Sequence, residues 1–459
     1  MESTKDLKIP TNLIDQIIGQ DEAVRIAKMA ALQRRNLLLV GPPGCGKSLI
    51  AQAMASLLPK PNYEISVLDN PLNPERPILE VRSRTEVEME KKLSGIKLSI
   101  YDVPIPVAEK LGLRCKRCGS RSSADVKICP NCGNEKYRKS RSPFDDIIFS
   151  EEKIEDRVYY NVEKEGRIVR VLYERVGNAV YYYDEKSLEV REKNFRRKVI
   201  VPLDRNTFVQ ATGASETELL GDVRHDPYGG HPEIGVRPYK RILPGAIHEA
   251  HEGILFIDEV ANLGNLQRHL LTAMQEKKFP IVGRNPTSSG ASVRVDDVPC
   301  DFIFVGAVNF SDINLILPTL RSRILGNGYE VLLNTYMEDT PENRKKIVRF
   351  IAQEINKDKR IPHADKYAIR EIIEEARRKA KIYDGKEGLT LRLRGLSGII
   401  KLAGDLAVIE GSEFIESKHV REAIERAKSA EQQAEKRYGT YYKYAESEYF
   451  GKKQQDYII

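Results

Sequence analysis

The chain has 459 residues, which is too long for one compact domain and long enough for two or three domains that each have a hydrophobic core. Hydrophobic residues make up 41% and charged residues 31%, a composition that argues against a disordered or fibrous protein. The net charge of +7 is small for this length and does not select a class of partner. The apolar runs are far shorter than a membrane span and the first residues lack a signal-peptide pattern, so we predict a cytoplasmic protein.

The first elements predict a helix, a strand, a glycine loop and a second helix in succession. Apolar positions with helical spacing predict the first helix over residues 13–35. A buried strand is predicted over Leu37–Val40 and the second helix over Lys47–Leu58, with the glycines between them. A phosphate-binding loop requires this order of strand, loop and helix.

The glycine loop matches the pattern GxxxxGK[ST] of P-loop nucleotide-binding proteins. Its glycines let backbone N–H groups surround phosphate groups, and the following helix directs its positive end to the same place. Lys47 is predicted to contact the β- and γ-phosphates of ATP, and Ser48 is predicted to bind Mg²⁺. The predicted nucleotide-binding residues of the loop are Gly41, Pro42, Pro43, Gly44, Cys45, Gly46, Lys47 and Ser48.

Residues 61–202 differ in texture from the rest of the chain and are predicted to form an inserted module. Tyrosine-rich alternating segments at 158–162, 167–176 and 179–185 predict β-strands in it. The two CxxC pairs that precede them indicate a metal site rather than disulfides in a chain without an export signal. A four-thiolate site binds zinc, or iron in its place, and leaves no open position for water, so the metal is predicted to be structural. The predicted metal ligands are Cys115, Cys118, Cys129 and Cys132.

Basic residues surround these cysteines, and a second basic run covers residues 191–198. A basic ribbon can bind nucleic acid. Zinc ribbons are also commonly basic without binding nucleic acid, and no aromatic RNA-binding motif accompanies the charges, so solvated side chains are the favoured interpretation. The basic residues near the cysteines are Arg114, Lys116, Arg117, Arg121, Lys127, Lys136, Arg138, Lys139 and Arg141, against Asp125 and Glu135.

Beyond the insert, short apolar segments bounded by turns resume the α/β pattern. Strands are predicted over Ile254–Ile257 and Phe302–Val308, with a helix over Leu266–Lys277. The first of these strands runs directly into two acidic residues, at the place where a parallel sheet presents catalytic groups. Asp258 is predicted to act on Mg²⁺ through a water molecule, and Glu259 to polarise the attacking water in phosphoryl transfer.

The last part of the chain is predicted to be a separate helical lid, because amphipathic stretches occur near 342–358, 365–382, 393–410 and 416–436. The predicted fold is therefore α/β, with a P-loop parallel-sheet core, a C-terminal helical lid and an inserted zinc-ribbon and β module. The predicted boundaries are residues 1–60 and 203–328 for the split nucleotide-binding core, 61–202 for the insert, 329–437 for the lid and 438–459 for a C-terminal tail.

Long segments outside the insert match those of a known family. They include IPTNLIDQIIGQDEAV at 9–24, the phosphate loop, ATGASETELLGDVRHDPYGG at 211–230, LPGAIHEAHEGILFIDEV and LTLRLRGLSGIIKLAGDLAV. In these segments the chain resembles the AAA+ ATPase portion of the archaeal B-type Lon protease. The resemblance implies an AAA+ ATPase that hydrolyses Mg-ATP to unfold, translocate or remodel protein substrates.

The resemblance also implies roles for residues outside the two ATP motifs. Ile18, Gly19 and Gln20 would border the adenine, and Asn309 at the end of its strand would sense the γ-phosphate. These assignments extend the predicted site beyond the phosphate loop.

Arginines and a pore segment complete what the resemblance implies. Arg323, with Arg321 as the alternative, would reach the nucleotide of a neighbouring subunit, and Arg394, with Arg392 as the alternative, would be the sensor of the lid. An arginine that acts on a neighbour implies a ring, with a hexamer as the expected form. The segment Leu219–Asp222 would line the central pore and grip a translocating chain.

Two features depart from the family pattern. The family carries membrane-spanning helices between its two ATP motifs, whereas this chain has the zinc ribbon and β module there, so no membrane partner is expected. The family continues past its lid into a peptidase domain with a serine and lysine pair, whereas this sequence ends at Ile459. We therefore expect no peptide-bond cleavage by this chain, and a separate peptidase is a candidate partner.

Two other functions stay open at this stage. The basic ribbon, and the similarity of AHEGILFIDEV to magnesium-chelatase and replicative-helicase ATPases, would suit a nucleic-acid motor or a nucleic-acid-binding ATPase. A third possibility is an assembly or regulatory switch that responds to ATP without translocation.

Overall fold

The structure is a computed structural model, and it describes residues 3–93, 95–136, 155–164, 166–177, 179–228, 234–284 and 293–427. These residues form the predicted α/β fold around a central parallel sheet. None of the described helices has both the length and the apolar character needed to cross a membrane.

The N-terminal elements contain one break that the sequence did not indicate. Residues 13–35 were predicted as one helix, which is wrong, because Ile17 is extended and the chain turns through Gly19 at φ +69°. A Cβ atom at Gly19 would lie 2.4 Å from Cδ2 of Leu391, so the turn allows the close approach of a distant segment. The elements are α1 (Leu13–Gln16), α2 (Asp21–Leu32), β1 (Asn36–Val40) and α3 (Lys47–Ala55), which ends three residues earlier than predicted, after a short 3-10 helix at Thr4–Asp6.

The insert contains helices and a second sheet that were not predicted. The tyrosine-rich strands are confirmed, but the first part of the insert also forms strands, and its alternation is hidden because Glu64 and Ser66 are buried beside Ile65 and Val67. The elements are β2 (Tyr63–Leu68), β3 (Ile78–Ser83), α4 (Arg84–Lys92), β4 (Ile96–Leu98), α5 (Ile105–Lys110), β5 (Arg157–Lys164), β6 (Arg167–Val176), β7 (Ala179–Tyr183), α6 (Glu185–Phe195) and β8 (Arg197–Val201).

Two antiparallel sheets therefore make up the insert, in the orders β3-β2-β8 and β4-β7-β6-β5. The cysteine segment lies between α5 and β5 in the chain. Leu111, Leu113 and Ala124 of this segment share a buried cluster with Val158 of β5 and Val171 of β6. The ribbon thus packs on the four-stranded sheet.

The central sheet is parallel, and its strands lie in the order β16 (Gly328–Leu332), β1, β15 (Ile303–Val308), β12 (Ile254–Ile257) and β9 (Phe208–Gln210). The predicted strands and helix of this region are confirmed, with the helix ending at Glu276 because Lys277 is left-handed. The elements are β9 (Phe208–Gln210), α7 (Glu216–Leu220), β10 (Asp222–Val223), α8 (Pro238–Arg241), β11 (Ile242–Leu243), α9 (Ala246–Glu249), β12 (Ile254–Ile257), α10 (Leu266–Glu276), β13 (Ile281–Val282), β14 (Arg294–Val295), β15 (Ile303–Val308), α11 (Pro318–Gly326) and β16 (Gly328–Leu332), with 3-10 helices at Val260–Leu263 and Phe310–Leu315.

Both faces of the central sheet are covered. Leu38 and Val40 of β1 belong to one buried cluster, and Leu37 and Leu39 belong to the other. A strand that is buried on both faces reads as a continuous apolar run, which is why β1, β12 and β15 were recognisable from the sequence. The carboxyl ends of these three strands lie side by side.

The lid is helical, as predicted, with its own core, which Ile18 and Leu391 join. The predicted helix over 416–436 extends to Arg426 among the described residues, and 428–436 and the tail 438–459 lie outside them. The domain boundaries stay predictions. The elements are β17 (Tyr336–Met337), α12 (Pro341–Asp358), α13 (Lys366–Asp384), β18 (Leu389–Thr390), α14 (Leu393–Ile409) and α15 (Ser417–Arg426).

Both ends of the insert are fastened to the turn that precedes β12. Oε2 of Glu252 accepts hydrogen bonds from the backbone N–H groups of Asn62 and Tyr63, at 2.8 and 3.0 Å. Arg205 donates to the carbonyls of Tyr63, Pro202 and His251, at 2.8, 2.8 and 2.7 Å. The first and last residues of the insert are therefore joined next to the N-terminal end of β12, and Asp258 follows the C-terminal end of the same strand.

Candidate functional site

The phosphate loop connects β1 to α3 in the way that its glycines require. Gly44 and Gly46 adopt φ of +86° and +89°, which a residue with a side chain rarely does. Gly46 caps α3 without a side-chain hydrogen bond, so the first N–H groups of that helix face the loop. A Cβ atom at Gly44 would lie 2.9 Å from Cβ of Arg394, which places the lid helix α14 directly against the loop.

Lys47 links the loop to the neighbouring strand end. Its side chain is mostly buried, and Nζ donates to the carbonyl of Gly41 at 2.5 Å and to Oδ1 of Asn309 at 3.1 Å. Burial lowers the pKa of the Lys47 ammonium, and the negative charge of Asp258 acts against this. The residues that the sequence assigned to three separate segments therefore meet at one edge of the sheet.

Asp258 and Glu259 follow β12, which lies next to β15. Glu259 is left-handed, with φ +55°, and its Oε2 accepts a 2.7 Å hydrogen bond from Nδ2 of Asn262. Both carboxylates are close enough to Lys47 to favour its charged form. The acidic pair and the ammonium thus face the same space, as the two motifs predict.

A cleft of about 1020 Å³ opens beside the phosphate loop, between the core and the lid. Of the three residues predicted to border the adenine, Gly19 lines this cleft, whereas Ile18 is buried in the lid core and Gln20 is buried behind it. Gln20 exchanges two hydrogen bonds with the backbone of Asn334, at 2.7 and 2.9 Å. The cleft is lined among others by Gly41, Pro42, Pro43, Asn309, Asn334, Tyr336, Lys346 and Arg392.

The residues at 334–336 were missed by the sequence analysis. They follow β16, which pairs with β1 in parallel, so the chain leaves this strand at the same edge as the phosphate loop. Recognising Gly328–Leu332 as a strand would have placed them in the site, because parallel strands share a carboxyl edge.

The two lid arginines are in different environments. Arg394 is exposed and lies against Gly44. Arg392 donates to Oδ1 of Asp384 at 2.9 Å and lines the cleft beside the loop. Arg394 therefore adjoins the phosphate loop, whereas Arg392 adjoins the cleft, and the choice of lid sensor between them stays a prediction.

The two arginines of α11 are also separated by their contacts. Arg321 forms two hydrogen bonds with Glu330, at 2.9 and 2.7 Å. Arg323 is exposed and has no ion pair within the described part of the chain. Arg323 thus differs from Arg321 in having no carboxylate partner among the described residues, and its role towards a neighbouring subunit stays a prediction.

Leu219–Asp222 were predicted to line a central pore, and for the two leucines this prediction is wrong. Leu219 and Leu220 are completely buried in the core cluster that covers one face of the central sheet. Asp222 is half-buried and accepts a 2.8 Å hydrogen bond from the backbone of Arg284. Fully buried leucines present no surface that a translocating chain could contact.

The four ribbon cysteines meet at one point, as predicted. Their sulfur atoms all lie within 4.8 Å of one another, at 3.8 Å for Cys115 and Cys132 and 3.6 Å for Cys118 and Cys129. A tetrahedral site with Zn–S bonds of about 2.3 Å separates its sulfurs by about 3.8 Å. Two matching turns form the site, with the N–H of Gly119 bound to Cys115 and that of Gly133 bound to Cys129, both at 2.9 Å. The donor set and its spacing fit a four-thiolate metal.

Several of the basic side chains near the ribbon form hydrogen bonds with other groups of the same chain. Lys136 is fully buried and donates to the carbonyl of Ser123 at 2.6 Å, and Arg121 donates to the carbonyl of Ile100. Arg117 donates to Asn134 at 2.7 Å. Arg138, Lys139 and Arg141 lie outside the described residues.

The second basic run is used in the same way. Arg191 pairs with Glu174 at 2.5 Å and Lys193 with Glu80 at 2.5 Å. Arg197 is nearly buried and pairs with Glu80 as well, at 2.7 Å. These ion pairs hold α6 and β8 on the two sheets of the insert, and they withdraw Arg191 and Arg197 from the surface while Lys193 stays half exposed.

Two family models match parts of the chain. The model described as magnesium chelatase, subunit ChlI, matches residues 13–70, and the sigma-54 interaction domain matches residues 239–296. The two ranges contain the phosphate loop and the acidic pair that follows β12. Together with the parallel sheet, they define the chain as a P-loop ATPase of the AAA+ class.

Relatives at high identity define the family more closely. Over 452 residues the chain is 53% identical to a Lon protease homologue of Thermoplasma volcanium, covering 95% of this chain and 91% of that protein. A homologue from Methanothermobacter thermautotrophicus is 51% identical over 467 residues, with 98% and 93% covered. The chain therefore belongs to the family of archaeal Lon protease homologues.

Longer relatives share the same region. The archaeal Lon protease of Archaeoglobus fulgidus is 42% identical over 445 residues, which cover 95% of this chain and 64% of that protein. The chain thus spans less than two thirds of the length of that protease. Among solved structures, a complex of the magnesium chelatase subunits BchI and BchD matches with a TM-score of 0.32 at 19% identity, covering 93% of this chain and 99% of that one.

Proposed function

We propose that this chain hydrolyses Mg-ATP and uses the energy to unfold, translocate or remodel protein substrates. The observation that carries the proposal is the convergence of Lys47, Asn309 and Asp258 at the carboxyl edge of one parallel sheet. Membership of the Lon homologue family supports a protein as the substrate, since the relatives are described as homologues of a protease.

We assign to each side chain a role that is compatible with its position. Lys47 contacts the β- and γ-phosphates, and Ser48 with Asp258 would hold Mg²⁺, which neutralises charge on the phosphates when bound. Glu259 orients and polarises the attacking water, and Asn309 binds the γ-phosphate side of the site. Arg394, which lies against Gly44, adds positive charge from the lid.

We also propose zinc at the four ribbon cysteines and a structural role for it. The thiolates leave no open coordination position, and the ribbon shares its small apolar core with β5 and β6. The cytoplasmic location and the lack of peptidase activity stay predictions. Casein cleavage by the purified chain, lost in Lys47→Ala, would contradict the latter.

The substrate class is tested by the response of the ATPase. Turnover of ATP by a motor responds to its own track, so unfolded casein is expected to raise the rate at least about twofold. Single-stranded DNA and RNA are expected to leave it unchanged, because several basic residues of the insert, among them Lys136, Arg191 and Arg197, are bound within the protein. Stimulation by nucleic acid alone would replace the proposal with a nucleic-acid motor.

A ring is tested by mixing two inactive variants. Arg323→Ala removes the arginine that we propose to act on a neighbouring site, with an expected loss of about a thousandfold. Glu259→Gln disables its own site but keeps Arg323. If Arg323 acts in trans, mixing the two restores part of the turnover, because the intact site of one variant receives the arginine of the other.

The same mixture separates the alternatives. Recovery that requires both variants in one assembly supports a ring, and analytical ultracentrifugation is expected to show a hexamer. No recovery from a mixed assembly of the same size would show that Arg323 acts within its own subunit or not at all.

A further inference from the structure

Two neighbouring strands of the core end in the same local arrangement. Glu259 follows β12, and its Oε2 accepts a 2.7 Å hydrogen bond from Nδ2 of Asn262. Asn309 follows β15, and its Nδ2 donates to Oδ2 of Asp312 at 3.1 Å. In both cases the partner lies three residues later, on the 3-10 helix that follows the strand.

The two 3-10 helices also pack against each other. Val260 and Leu263 from the first helix share a buried cluster with Ile313 from the second and with Ile316, which follows it. Because β12 and β15 are paired in parallel, the helices leave the sheet at the same edge. Asn262 and Asp312 therefore lie on two short helices that pack against each other.

The bond to Asp312 fixes the orientation of the Asn309 amide. A carboxylate accepts hydrogen bonds only, so Nδ2 of Asn309 must face Asp312. The amide oxygen then faces Nζ of Lys47, at 3.1 Å. A rotated amide would present its N–H groups to the ammonium, which is also a donor only. Ser311 donates to the other oxygen of Asp312 at 2.9 Å and so holds the carboxylate itself.

The bond to Asn262 fixes the carboxylate of Glu259. The backbone of Glu259 is left-handed, with φ +55°, which is uncommon for a residue with a long side chain. The N–H of Asn262 closes this turn by donating to the carbonyl of Glu259 at 2.8 Å. Its side-chain amide is a neutral donor, so it holds Oε2 in place and leaves Oε1 available to accept from water.

We propose that Asn262 and Asp312 are positioning residues of the ATPase site, with Asn262 orienting Glu259 and Asp312 orienting Asn309. The inference rests on the proposed function, because it assigns to both a part in orienting the groups that act on ATP. Neither residue is among those that line the cleft beside the phosphate loop, so we expect their effect to fall on turnover and to spare nucleotide binding.

Asn262→Ala tests the first half. The variant is expected to lower kcat for ATP about tenfold, while KM and the affinity for a fluorescent ADP analogue stay within about twofold. Asn265→Ala is the matched control, since Asn265 is exposed, lies three residues later and makes no side-chain cap bond to α10. A kcat equal to that of the control, or a rise in kcat, would overturn the assignment.

Asn262→Asp is expected to change the pH dependence of kcat, which would stay unchanged if Asn262 only supported the fold. A second carboxyl beside Glu259 raises the pKa of the pair, because two like charges disfavour each other. At high pH both are charged, and kcat is expected to be low. As the pH falls towards about 6, one proton enters the pair and the protonated group can donate to the other, so kcat relative to the wild type should rise. A flat ratio would contradict the role of Asn262.

Asp312 is tested by two variants, of which only Asp312→Asn keeps the size of the side chain. Asp312→Ala removes the acceptor and is expected to lower kcat about fivefold to tenfold. Asp312→Asn keeps an oxygen that can accept from Asn309, and it is expected to retain at least about half of the turnover. Equal loss in both variants would show that the charge matters and the orientation does not, which would overturn the assignment.

Failure of this inference and failure of the proposed function are distinguishable. If the wild-type chain neither binds nor hydrolyses Mg-ATP, the proposed function itself is lost. If the wild type turns over ATP and the Asn262 and Asp312 variants match it, only the positioning role is lost.

Discussion

Glu259→Gln is expected to reduce ATP turnover at least about a hundredfold while nucleotide binding persists. The change removes the charge that polarises the attacking water but keeps the shape of the side chain. The amide oxygen of glutamine can still accept from Nδ2 of Asn262, so the left-handed turn after β12 has no reason to change. Phosphate release at saturating ATP gives the turnover, and a fluorescent nucleotide gives the binding.

Two variants frame this experiment. Lys47→Ala is expected to weaken nucleotide binding itself, because the ammonium that meets the phosphates is gone. Glu276→Gln is the matched control, since Glu276 is an exposed glutamate at the end of α10 and is expected to leave both quantities unchanged. If Glu259→Gln turned over ATP at the wild-type rate, Glu259 would not be the residue that polarises the attacking water, and Asp258 would become the candidate.

The parts of this site that the sequence predicts are those in which local pattern and chemistry coincide. The phosphate loop needs left-handed glycines between a strand and a helix, and Gly44 and Gly46 supply them within a few residues. The zinc knuckles are equally local, because Cys115 and Cys118 are joined by one short turn. Such motifs depend little on the rest of the fold.

Parts that depend on distant contacts were not predictable in this way. The break in the first helix depends on Leu391, which occupies the space where a side chain at Gly19 would lie. The burial of Leu219 depends on packing against the central sheet, and its sequence neighbours do not distinguish a core helix from a pore loop. The basic residues of the insert resemble a binding surface until their partners, such as Glu80 and Glu174, are placed beside them.

Asn262 and Asp312 belong to a third category, in which the sequence shows the spacing of the residues but not the local structure that brings them into contact. Each lies three residues after a predicted site residue, a spacing readable from the sequence, but only a 3-10 helix at both places makes that spacing a contact. The apolar runs of β12 and β15 predict strands and say little about the turn after them. Left-handed Glu259 is the structural signal that the turn is specialised.

Removal of the metal is the second large effect, and Cys129→Ser is the variant that isolates it. Cys129 is buried, and its sulfur lies 3.6 Å from that of Cys118, so a serine there leaves three thiolates around an incomplete site. The purified wild type is expected to hold about one zinc per chain and the variant far less, since structural zinc sites contribute on the order of 10 kcal/mol to folding. Elemental analysis measures the metal directly.

The consequence for the fold is expected to stay within the insert. Without metal, the ribbon no longer holds Leu111 and Leu113 against β5 and β6. The packing of Tyr173 near Tyr182, whose ring centroids are 5.2 Å apart, is therefore expected to loosen. The chain has no tryptophan, so the near-ultraviolet circular dichroism of its tyrosines reports this change. Nucleotide binding is expected to persist, because Arg205 and Glu252 fasten the insert to the core outside the ribbon.

A second cysteine provides the control for this prediction. Cys300 is buried against α10, far from the ribbon in the chain, and burial raises the pKa of its thiol to about 12, so it is not a thiolate at neutral pH. Cys300→Ala should keep the zinc content of the wild type. Equal zinc in Cys129→Ser and Cys300→Ala would show that the four thiolates do not hold the metal. Full loss of nucleotide binding in Cys129→Ser alone would instead show that the ribbon supports the ATPase core through contacts beyond the Arg205 and Glu252 junction.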